Sequence, residues 1–112
     1  MSVYVVNLMI DQGADFSQTF DLTAANGQTL TLTNYTATAQ MRKHSGSKNR
    51  YDFTVSFTDR SNGQIKIALE DTITRRIKPG RYVYDIILTD SNGDKSKVLE
   101  GQALVRESAT RE

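Results

Sequence analysis

The stretch RYVYDIILTDSNGDKSKVLEG, Arg81–Gly101, decides between two architectures. Oxygen-bearing side chains at alternate positions (Asp90, Asn92, Asp94), followed by Glu100, first suggest a calcium loop. A helix–loop–helix site starting at Asp90 would need glycine at its sixth position and glutamate at its twelfth. Those positions hold Lys95 and Gly101, and Glu100 falls one residue early. The flanks are also wrong for helices. Tyr82, Tyr84, Ile86 and Leu88 are spaced by two, the period that turns one face of a strand into a core and the other into water. Asn92-Gly93 supplies two residues that tolerate positive φ, as a tight hairpin turn requires. The stretch is a β-hairpin, and no metal is expected in its turn.

The same period runs outward in both directions. Tyr35, Ala37, Ala39 and Met41 alternate with Thr36, Thr38 and Gln40, while Tyr51, Phe53, Val55 and Phe57 alternate with Asp52, Thr54 and Ser56. Ile65, Ile67 and Leu69 repeat the pattern, and Asn26-Gly27 and Asn62-Gly63 add turn signals. The expected strands are 3–10, 16–22, 30–32, 36–42, 51–57, 65–69, 81–89 and 97–105. Leu69, Ile73 and Ile77 break the alternation with a spacing of four, which predicts a short helix near residues 70–78. Asp71 or Thr72 would cap it and Pro79-Gly80 would end it. The predicted fold is all-β: a two-sheet, Ig-like antiparallel β-sandwich of about seven or eight strands, with one helical crossover. Residues 1–105 form one domain, and 106–112 a polar tail.

Composition narrows the function. A chain of 112 residues supports one core, and 38% hydrophobic with 24% charged residues is ordinary for a globular protein. A formal charge of +1 gives no general attraction to nucleic acid or to an anionic membrane, so neither is expected as a partner. The absence of cysteine removes disulfides, thiolate metal sites and cysteine nucleophiles. MSVYVVNLMIDQG has neither a basic start nor a small-residue cleavage site, so it does not read as a signal peptide. Its apolar run is too short to span a membrane as a helix. A soluble protein made in the cytoplasm is the expectation.

Few residues look chemical. Asp85 shares a strand face with Val83 and Ile87, where a carboxylate between apolar neighbours could act as an acid. No second carboxylate is spaced to share that work, so a structural role beside a cation such as Arg81 is preferred. His44, the one histidine, sits next to Ser45, but no strained elbow surrounds that serine. RKHSGSKNR, Arg42–Arg50, reads as a solvated loop. Its cations Arg42, Lys43, Lys48 and Arg50, together with His44, are candidates to meet an acidic partner or a phosphorylated glycan. SVYVVNLMI is uncharged over nine residues and rich in β-branched side chains. As an edge strand it would invite pairing, so Val3, Val5 and Leu8 are the remaining candidate interaction residues.

Four stretches, in order, resemble a group of small bacteriophage structural proteins of the tail and baseplate β-sandwich type, including the N-terminal domains of upper baseplate proteins. Ile10–Leu22 (IDQGADFSQTFDL) is similar to the group's opening, with its glutamine-glycine pair and phenylalanine strand. Asn26–Lys43 resembles its turn, its DLTG-type segment and its arginine-bearing strand, although TLTN stands here at Thr31–Asn34. Asn62–Asp90 resembles its glycine-led strand, short crossover and YVYD strand, and Val98–Arg111 its closing strand. The loop RKHSGSKNR departs from the shorter acidic or neutral loop common in the group. The resemblance implies a non-enzymatic virion building block, made in the host bacterial cytoplasm, that assembles with copies of itself or with other virion proteins. It supplies no catalytic residue and no cofactor. The rotational symmetry of phage tails makes a closed ring or threefold cluster the expected assembly. A module that binds host-surface glycans through the Arg42–Arg50 loop and outward tyrosines is the alternative. A glycan hydrolase ranks last, since it would need two positioned carboxylates in a cleft.

Overall fold

Alternating sequence becomes two facing sheets in the computed structural model, which describes residues 4–23, 27–44 and 46–109. Val3 and Asn26 lie outside the described residues. In chain order the elements are β1 (Tyr4–Val5), β2 (Leu8–Asp11), β3 (Phe16–Asp21), β4 (Thr36–Arg42), β5 (Arg50–Asp52), β6 (Thr54–Asp59) and β7 (Gln64–Leu69). The helix α1 (Asp71–Thr74) follows, then β8 (Gly80–Thr89) and β9 (Lys95–Arg106). The larger sheet runs β1-β9-β8-β4-β5, with β2 also on β9, and the smaller runs β3-β7-β6. The all-β sandwich expected from the sequence is therefore present.

Inward residues of both sheets fill one core. Ile10, Met41, Ile65, Ile67, Ile86 and Leu88 are fully enclosed. Phe53 bridges the layers, its ring 6.1 Å from both Phe16 and Tyr84. The segment expected as one strand at 51–57 is two strands in different sheets: β5 pairs with β4, and β6 pairs with β7. The chain changes sheets at Phe53, whose amide still bonds to the Ala39 carbonyl at 3.0 Å.

Three other expectations are corrected. The expected antiparallel pairing fails at the N-terminus, where β1 and β2 run parallel to β9. Leu30–Leu32 is not a strand. The Leu30 and Leu32 amides donate to Leu22 and Arg60 carbonyls, and Arg60 Nη1 holds the Leu32 and Tyr35 carbonyls at 2.8 Å each. The helix is a single turn, and neither Asp71 nor Thr72 caps it. Glu70 stands at its N-cap without a side-chain bond, and Asp15 Oδ1 accepts from the Asp71 amide at 2.8 Å.

That crossover is stitched to the turn between β2 and β3. Buried Thr74 Oγ1 accepts from the Gly13 amide at 3.1 Å and lies 2.9 Å from the Ala14 carbonyl, to which it donates. Gln12 Nε2 donates to the Ile77 carbonyl at 3.1 Å. The start of the chain is thus held at both ends of β2, by β9 and by α1.

Candidate functional site

The outward face of the larger sheet gathers the side chains left unexplained by the core. Register sets them in rows: Val5, Glu100, Asp85 and Gln40 in one, Gln102, Val83 and Arg42 in the next, then Met9, Leu104 and Arg81. Among the described residues the exposed large apolar side chains are Val5 (70%), Met9 (60%) and Val83 (38%), and all three stand on this face. A shallow depression of about 530 Å³ opens there between Val5, Val83, Arg42 and the Asp85–Lys97–Glu100 group.

That charged group depends on a bulge. Pairing of β8 with β9 slips between Ile86 and Ile87, leaving Val98 and Leu99 both buried. The extra residue restores the outward direction on each side, so Lys97 and Glu100 share one face despite being three apart. Lys97 Nζ lies 3.3 Å from Glu100 Oε1 and 3.6 Å from Asp85 Oδ2. The hydrogen bond to Glu100, then the Asp85 charge, push the ammonium above its ordinary value. The cation beside Asp85 is thus Lys97 rather than Arg81. Both carboxylates lie within ion-pair distance of one ammonium.

The predicted loop residues separate. Arg42 lies on the outward face, where Nη1 donates to the Ser47 carbonyl at 2.6 Å and Nη2 to Gln40 Oε1 at 3.1 Å. It closes the base of the loop and reaches the depression together with His44. Lys43 points the other way, its Nζ 4.9 Å from the Tyr82 ring centre. Arg50 pairs with Asp52 at 3.3 Å on the far edge strand, and Lys48 is exposed. The structure thus brings Val5, Arg42 and His44 together and leaves Lys43, Lys48 and Arg50 apart from them.

Leu8 is corrected outright: it is buried in the core at 4% exposure and offers no side chain to a partner. The outward residue beside it is Met9, which strand parity relative to Val5 would have identified. The proposed outward tyrosines are corrected as well. Tyr82 and Tyr84 are buried, and Tyr4, Tyr35 and Tyr51 are half-buried, so none forms an exposed stacking platform for a sugar.

Sequence reading also missed how the N-terminal strand is seated. The Val6 amide donates to the Glu100 carbonyl at 3.0 Å, but the Val6 carbonyl leaves the ladder and accepts from the Tyr84 hydroxyl at 2.6 Å. Asn7 Oδ1 takes the vacated place, accepting from the Gln102 amide at 3.1 Å. The backbone comes so close that a Cβ at Gly101 would lie 2.1 Å from the Val6 oxygen. Burial raises the Tyr84 phenol to about 12. Its proton is held by the folded state after an unfolded tyrosine, near 10, has released its own. This contribution is therefore intact below pH 10 and lost as pH rises through about 12. Tyr84→Phe should cost about 1–3 kcal/mol by stranding a part-buried acceptor. It should also flatten the alkaline limb of a stability–pH profile between those values, and an unchanged limb would contradict the assignment.

In the β8–β9 turn, Asp90 Oδ1 accepts from the Asn92 and Asp94 amides, each at 2.9 Å, and Gly93 has φ of 87°. Of the side chains that suggested calcium, that of Asp90 holds the hairpin closed. Calorimetric titration with calcium should give no saturable heat, whereas micromolar binding lost on Asp90→Ala would overturn this reading.

No protein-family model matches the chain, and no curated protein matches its sequence. Among solved structures, the N-terminal domain of ORF48 from phage TP901-1 aligns with a TM-score of 0.55 at 14% identity, over 95% of this chain and 99% of that one. An internalin-like protein of Listeria monocytogenes aligns at 0.48 and 14% identity, over 95% of this chain and 28% of its own. A family 123 glycoside hydrolase of Clostridium perfringens aligns at 0.45 and 13% identity, over 96% of this chain and 24% of its own. At such identities the likeness is one of fold, and the last two scores carry no argument.

Proposed function

We propose that this chain is a non-enzymatic structural subunit of a bacteriophage particle, in its tail, baseplate or neck. It works through contacts with other copies of itself and with other virion proteins. The observation that carries this reading is the concentration of exposed apolar side chains, Val5, Met9 and Val83, on one sheet face beside an uncharged edge strand. A surface of that kind is suited to being covered by protein. The order of the four sequence stretches agrees with it, as does a fold similar from end to end to a phage protein's N-terminal domain.

The test is biochemical and genomic together. The gene should lie among tail or head genes, and the protein should sediment as an oligomer at micromolar concentration or co-purify with the products of its neighbours. A protein that stays monomeric both alone and with those neighbours would remove the assembly role.

A further inference from the structure

We propose that two copies of this chain pair antiparallel along the free edge of β1 and β2, with Val5 of each copy opposite Met9 of the other. This deepens the structural-subunit reading by naming a second copy as the occupant of that edge, and it rests on that reading.

The backbone supplies the first argument. Val6 and Gln12 turn their amides toward β9, donating to the Glu100 and Arg106 carbonyls at 3.0 and 2.9 Å. By alternation, Val5 and Met9 direct their N–H and C=O groups away from β9, where no described strand meets them, and Val6 and Asn7 lie between the two strands. Val5, Asn7 and Met9 all expose their side chains. Edge and face therefore coincide at Val5 and again at Met9.

The occupant follows from self-complementarity. The pairing seats Val5 against Met9 twice across a dyad, with Asn7 facing Asn7 at its centre. Apolar cross-strand pairs form at both ends, and no charge is brought against a like charge between Tyr4 and Ile10. A partner with charged strand residues would leave them over Val5, Met9 and Leu104. The other edges are less suitable. β5 carries Arg50 and Asp52, β6 carries Asp59, and β3 exposes the polar Ser17, Gln18 and Thr19. The dyad contact alone closes a dimer, so a ring or threefold cluster would need a second, rotational contact.

The natural absence of cysteine makes the test direct. Val5→Cys and Met9→Cys variants are oxidised separately and as an equimolar mixture. In the proposed register the mixed pair sits within disulfide reach, whereas like residues are separated by about 13 Å along the strand. A cross-linked dimer from the mixture, with little from either variant alone, is the expected result. Sedimentation should show a wild-type dimer that Met9→Lys weakens at least about tenfold. Circular dichroism should remain unchanged, because Met9 is an outward side chain. Val5→Lys provides a second variant with the same expectation. Cross-linking only within single variants, or a wild-type monomer at tens of micromolar, would overturn the proposal. A monomer still captured by neighbouring virion proteins would overturn self-pairing while leaving the structural-subunit reading intact.

Discussion

Gly101→Ala is expected to unseat the N-terminal strands and to cost about 3 kcal/mol, the upper end of ordinary overpacking penalties. The added methyl would lie 2.1 Å from the Val6 carbonyl oxygen and 2.8 Å from its carbon, a clash with backbone that no rotamer change relieves. The Val6 carbonyl cannot retreat without straining its bond from the Tyr84 hydroxyl, at 2.6 Å. Moving it also disturbs the neighbouring Asn7 bond to the Gln102 amide. Urea unfolding gives the magnitude, and hydrogen exchange gives the place, with faster exchange at the Val6 and Gln102 amides. Gly93→Ala is the control: its φ of 87° strains alanine, but nothing lies within 4 Å of the new Cβ. It should cost about 1 kcal/mol. If both variants lose the same stability, close approach at Gly101 is not what seats the strand. An unseated β1–β2 also removes the surface proposed for docking, so the variant should lose assembly along with stability.

Ile86→Ala is expected to cost about 2–5 kcal/mol. Ile86 lies in the middle of β8, with Ala39 of β4 on one side and Leu99 of β9 on the other, and it has no exposed surface. Truncation leaves a cavity beneath the bulge at Val98, where two consecutive buried side chains already limit how far the sheet can collapse. Thr36→Ala and Thr54→Ala, both exposed, should each cost well under 1 kcal/mol. Chemical denaturation of the three variants decides the matter. Equal losses would mean that the faces of these strands are assigned the wrong way round.

Which residues point inward was legible because the period of two is a local property of extended chain. The alternations at 36–42, 65–69 and 81–89 coincide with β4, β7 and β8 nearly residue for residue. The same property explains the error at 51–57. Tyr51, Phe53, Val55 and Phe57 keep one parity while the chain passes from one sheet to the other, because both sheets face a common core. Alternation reports distance from that core and not sheet membership. The bulge at Val98 escaped notice for a related reason: two adjacent apolar residues interrupt parity without saying which is the extra one.

The candidate site was legible only in pieces. An uncharged first strand and a basic loop could each be read locally, but nothing local says that Val5, Arg42 and His44 line one depression on a sheet whose order places β1 three strands from β4. Nor does spacing reveal that a carbonyl at Val6 needs a glycine at position 101 and a tyrosine hydroxyl at position 84. By itself the sequence determined the all-β class, the inward face of most strands and the hairpin at Asn92-Gly93, all of which arise from backbone geometry within a few residues. Only the tertiary structure decided the parallel seating of β1 and β2, the burial of Leu8 and the common face of Val5, Met9 and Val83. Those depend on strand order and register, and hydrogen bonds between segments nearly the whole chain apart set both.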